Sequence, residues 1–164
     1  MSAEEFLVIS NNPAVKKIKR ARAKICLVEG DCLAVLYQAF SMAASGYTLL
    51  SHPLAGSVKP EDNYYRSIVF SAGPKDQVDL MHLRLLDKCL LKLEERQNAR
   101  ISSERLALYT QDLQIMDIEF LNNALDALEE RVPGQNQVVR SEFHAAGTGP
   151  YRGQRRAIWC ENRI

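Results

Sequence analysis

Charge of one sign is missing from this sequence: 21 Lys and Arg stand against 20 Asp and Glu, a formal net charge of +1 over 164 residues. So small an excess gives no field that would hold nucleic acid or an anionic membrane against the whole domain. Cysteine is scarce and scattered. Cys26, Cys32, Cys89 and Cys160 form no Cys-x-x-Cys and have no His at metal-ligand spacing, which excludes a zinc module and a disulfide scaffold and makes reduced thiols the plain expectation. Nor is export expected. Met1-Ser2-Ala3-Glu4-Glu5 is acidic where a secretory signal would be basic, and its apolar run stops at Ile9, so a cytoplasmic location is expected. From Cys32 to Val58 there is no charged residue, a length that spans a bilayer. Gln38, Ser41, Ser45, Gly46, Ser51, His52 and Pro53 interrupt it, however, and would be costly in hydrocarbon. The stretch is expected to be a core helix, a Gly stop and a buried strand. What remains, 46% hydrophobic and 25% charged, is the composition of one ordinary soluble domain.

Along the chain, Phe6 to Ser10 reads as a strand, followed by Asn11, Asn12 and Pro13, a start signal for a helix over about Ala14 to Ala23. Lys16, Lys17, Lys19, Arg20, Arg22 and Lys24 would give that helix a solvated basic face. Ile25 to Val28 is a second strand. Asp31 then caps a helix whose stripe is Leu33, Leu36, Phe40 and Ala43 and whose stop is Gly46. Strands follow at Tyr47 to Ser51 and Ser67 to Ser71. Leu83, Leu86, Leu90 and Leu93 mark an amphipathic helix over about 78–97, and Ile118, Leu121, Leu125, Leu128 and Val132 a second one over about 112–132. These leucines suit packing on the domain's own sheet, or a helical hairpin or dimer seam. The order predicts an α/β fold: a three-layer or two-layer sandwich on a small, mostly parallel four-stranded sheet, with two long C-terminal amphipathic helices. The domain should span 1–132, and 133–164, rich in Gly and Arg, a flexible tail.

Between the third and fourth strands lies an irregular loop, His52 to Tyr65, and long loops in compact domains are usually functional. Ligands of open α/β sheets gather beyond the carboxyl ends of strands, an edge that Asn11, Asn12, Ser51 and His52 would share. In the loop, Gly56 allows backbone N–H groups to turn towards a ligand, Ser57 adds a hydroxyl and Lys59 a compact cation. Together they suit a phosphate or carboxylate. Tyr65 and Arg66 would line the same edge, Arg66 being well shaped for a carboxylate. The same residues also suit a surface crossing stiffened by Pro53 and Pro60, with Lys59 in solvent, and the sequence leaves both open. Walker and Gly-x-Gly-x-x-Gly patterns are absent, and no nucleophile or orienting carboxylate stands at a fixed spacing from His52. No catalytic residue, metal or cofactor is therefore assigned.

Ile9-Ser10-Asn11-Asn12-Pro13, then His52-Pro53-Leu54-Ala55-Gly56-Ser57-Val58-Lys59-Pro60, then Tyr65-Arg66-Ser67-Ile68-Val69 resemble GrdX proteins, accessory proteins encoded alongside bacterial glycine reductase. The resemblance covers roughly 6–97 and continues more weakly to about 128. It differs at Ala55, where Ser is frequent, at Arg66, where Lys is common, and at Tyr64, where Pro is usual. The resemblance implies a role in anaerobic amino-acid fermentation, glycine reductase components as partners, and an accessory rather than a catalytic part. With the loop it favours a non-catalytic protein that binds a small anion or a partner at Asn11, Asn12, His52, Gly56, Ser57, Lys59, Tyr65 and Arg66. The alternatives are a homodimeric interaction module built on the leucine-striped helices, and a small enzyme acting on a phosphorylated or carboxylated metabolite.

Overall fold

Apolar residues on both sides of the strand at Phe6–Ser10 (β1) place it in the middle of a sheet that is covered on both faces. The computed structural model describes residues 5–56, 59, 62–96 and 101–130. After β1 come a short 3-10 turn (Pro13–Lys17), β2 (Ala23–Leu27), α1 (Cys32–Ala44), β3 (Tyr47–Leu49), β4 (Ser67–Pro74), α2 (Leu80–Glu95) and α3 (Ser103–Glu129). The tail from 133 onward and Val132 lie outside the described residues.

The sheet order is β2-β1-β4-β3. β1 and β2 are parallel, whereas β4 runs antiparallel to both β1 and β3. The sheet is thus mixed, which corrects the expected mostly parallel arrangement: three strands point the same way, but the fourth lies between two of them. The cause is the connection. A parallel return needs a crossover element, and the stretch between β3 and β4 contains no helix among the described residues, so the chain re-enters from the end of the sheet at which β3 finishes and runs back beside it.

Alternate side chains along β1 and β4 fill two cores. Ile9, Ile68 and Phe70 pack against α1 and α2, with Leu36, Leu86, Leu90 and Leu93. Phe6, Val8 and Val69 pack against Val15 of the 3-10 turn and Leu121 and Leu125 of α3. The architecture is therefore three layers, and the leucines of both stripes pack within the domain. Cys32 and Cys89 are buried and take part in no disulfide, in keeping with the expected reduced thiols. Cys26 on β2 is disulfide-bonded, which corrects the expectation of a reduced thiol there. Among the described residues no helix is long and apolar enough to cross a membrane. The uncharged run is instead α1, a turn at Gly46 (φ +91°) and β3, in keeping with its polar interruptions.

Two expected helices have different extents. The one placed over 14–23 is a five-residue 3-10 turn in which only Val15 is buried. With one buried anchor and like charges at Lys16, Lys19 and Arg20, helical spacing brings repulsion without a stripe to offset it. Arg20 is not simply solvated: its guanidinium meets Asp126 Oδ1 at 2.7 Å and Glu129 Oε2 at 2.9 Å on the last turns of α3. α3, conversely, starts at Ser103, whose neighbour Ser102 accepts from Arg105 N–H. None of its first ten residues is buried, yet they continue a helix already anchored by Leu113, Leu121 and Leu125.

Candidate functional site

The carboxyl ends of β1 and β3, the start of β4 and the middle of α3 meet at one edge of the sheet. Asn11, just past β1, ties this edge together: Nδ2–H groups donate to Gly30 O at 3.0 Å and Tyr64 O at 2.8 Å, and Oδ1 accepts from Arg66 N–H at 2.7 Å. Asn12 is fully buried. Its Oδ1 accepts from Ala14 N–H, capping the 3-10 turn, while Nδ2 donates to Gln114 O at 2.9 Å and to Asp117 Oδ2 at 3.0 Å. Both side-chain amides are thus occupied by the protein, and they set the positions of Arg66 and Asp117.

Asp117 escapes a sequence search for site residues because it sits inside an apolar ridge, Leu113, Asp117, Leu121, Leu125, spaced by four. That is also its signal: a carboxylate in a buried stripe needs donors. Ser67 Oγ lies 2.7 Å from Asp117 Oδ2 and 2.8 Å from Ser10 Oγ. Its one proton goes to the carboxylate, which can only accept, so Ser10 donates to Ser67 and itself accepts from Asn12 N–H at 3.0 Å. Asp117 Oδ2 therefore receives two bonds, and Oδ1 receives none among the described residues.

Arg66 is only 3% exposed. Its Nη1 donates to Ala55 O in the loop, and Nη2 donates to Asn63 Oδ1 at 3.0 Å when the Asn63 amide is oriented to satisfy both its ends. Nε has no partner, and among the described residues no carboxylate is paired with this guanidinium. Arg66, Asp117, Ser51, His52, Ser67 and Phe120 are among the groups lining a cavity of about 30 Å³.

The loop places the other expected residues differently. Gly56 has φ +133°, a conformation only glycine adopts freely, and an added Cβ would stand 2.9 Å from Phe120 Cε2. Its absent side chain lets the loop cross that ring. Lys59 is exposed, Tyr65 is buried edge-on against Tyr64 at 5.1 Å between centroids, and Ser57 lies outside the described residues. The structure gathers Arg66 and His52 at the cavity, uses Asn11 to hold the Arg66 backbone and Asn12 to hold Asp117, and leaves Lys59 in solvent.

A family model described as GrdX-like protein matches residues 7–126. The chain belongs to this family. The matched segment of the GrdX-like chain contains both asparagines, the loop, Arg66 and Asp117, the whole edge just described. No curated protein and no solved structure gives a significant match.

His52 in this GrdX-like protein accepts from Leu54 N–H through Nδ1 at 3.1 Å, which leaves its proton on Nε2. Burial, then the Arg66 and Lys92 cations, push its pKa below the ordinary histidine value. His82 is lowered as well, mainly by burial, with Asp79 opposing, and its Nδ1 accepts from Leu49 N–H. Both rings are held neutral when folded, so below about pH 6.5 the unfolded chain binds protons that the folded one resists. Stability present above that pH is lost as pH falls through the lower folded-state values. Thermal melts should show a flat Tm above about pH 7 and a decline towards pH 5.5, with the slope reduced in a His52→Gln, His82→Gln double variant. A Tm that rises on this acidification contradicts the assignment.

Proposed function

We propose that this GrdX-like protein is a non-catalytic accessory protein of the cytoplasm that binds a small anion, a phosphate or carboxylate, at the loop edge and works with glycine reductase components. The observation that carries the anion is Arg66. Burying an ionised group without a counter-charge costs several kcal/mol, and the bonds to Ala55 O and Asn63 Oδ1 offset only part of it. An anion on the unpartnered Nε would supply both the missing acceptor and the missing charge. In this reading His52 offers Nε2–H from the side, Lys59 draws anions from solvent, Gly56 shapes the loop, Tyr65 packs beneath it, and Asn11 and Asn12 hold the frame. The association with glycine reductase comes from the family resemblance.

Thermal denaturation of the full chain with phosphate, sulfate and acetate tests the binding. A ligand at a hundred times its Kd adds about 2.7 kcal/mol, a Tm rise of roughly 5–10 °C in a chain of this size. Arg66→Gln should abolish the rise and Lys59→Ala reduce it. An unchanged Tm with all three anions, or a full rise in Arg66→Gln, removes the anion from the reading. Affinity capture with the tagged chain that returns no reductase component removes the association separately.

A further inference from the structure

Two buried groups of opposite charge line one cavity without pairing with each other. The Arg66 guanidinium holds Ala55 O and lies beside His52 at one end, with Nε unpartnered. Asp117, also 3% exposed, stands at the Ser67 end with Oδ1 free of bonds among the described residues. Opposite charges this deeply buried usually neutralise one another directly. Here both line the same cavity, and no ion pair joins them among the described residues.

From this juxtaposition we infer that the ligand is a small zwitterion, a molecule carrying a carboxylate and an ammonium a few bonds apart, such as a short amino acid. The inference rests on the anion reading of Arg66 and adds the cationic end. The carboxylate meets Arg66 Nε and His52 Nε2–H, and the ammonium meets Asp117 Oδ1. An ammonium has three donors and no acceptor, and Asp117 Oδ1 is an acceptor that lacks a donor. Ser51 adds a further polar contact: its Oγ accepts from Val69 N–H at 2.9 Å, which leaves its own proton for the ligand. Size limits the choice. A cavity of about 30 Å³ holds roughly two or three waters, so the ligand has only a few heavy atoms, and Phe120, Leu121 and Ala124 wall off a large side chain.

Calorimetric titration of the full chain with glycine, β-alanine, acetate and methylammonium decides it. Glycine or β-alanine should bind at least tenfold more tightly than acetate, and methylammonium alone should bind weakest. Asp117→Asn keeps an oxygen for Asn12 and Ser67 while removing the charge. It should weaken the zwitterion at least tenfold and leave acetate within about twofold. Acetate binding as tightly as the zwitterions overturns the inference and leaves the anion reading standing; the absence of binding by any of the four overturns both. Should Asp117→Asn fail to fold, the ligand series on the unaltered chain still separates these outcomes.

Discussion

Replacing Leu121 by Ala is expected to destabilise the protein by about 3–4 kcal/mol, a Tm loss of roughly 6–16 °C. Leu121 is 2% exposed and packs with Phe6, Val8, Val15, Val69 and Leu125, the core that holds α3 on the sheet. Its removal takes away transfer energy and leaves a hole, since strands on one side and a helix on the other cannot both collapse into it. Leu121 also lines the site cavity, so the variant should admit a larger ligand even as it loses stability. Chemical denaturation supplies the number, and a cost below about 1 kcal/mol would show that α3 is not clamped by this core.

Asn12→Ala is expected to cost about 3 kcal/mol although it removes few atoms. Asn12 caps the 3-10 turn through Ala14 N–H, holds Gln114 O and donates to Asp117 Oδ2, all from a fully buried position. Alanine leaves the capping N–H without an acceptor and the buried carboxylate with Ser67 as its remaining side-chain donor. Losing a cap is worth about 1 kcal/mol, and under-solvating a buried charge more. Asp117→Asn in the same background should recover part of the loss, because a neutral amide tolerates the missing donor better. Equal stability of the single and double variants would separate Asn12 from Asp117 energetically.

The two residues differ in how far sequence reveals them. Asn12 is a helix-start signal at the end of a strand, and that local chemistry holds, although the element it starts is a 3-10 turn. Asp117 has no local signature beyond being a carboxylate at an apolar position of α3; its partners Asn12 and Ser67 are distant in sequence. Gly56 reads in the sequence as freeing amides for a ligand, yet its positive φ and the Phe120 ring above it show a packing reason for glycine that depends on α3. Arg66 is legible as a carboxylate binder by type, while its burial and its unpartnered Nε are not.

Local chemistry was enough to determine β1, the α1 helix with its Asp31 cap and Gly46 stop, and β3, since apolar spacing, capping and turn residues act over a few neighbours. Family membership is also readable from the three quoted blocks, and the match over 7–126 agrees. Only the tertiary structure decided the direction and place of β4, the layer to which each leucine stripe belongs, and the meeting of Arg66 with Asp117 at one cavity. The reason is range: a strand's place in a sheet and a charge's burial are set by groups that the chain brings together from far apart, and no short window of sequence contains both sides of such a contact.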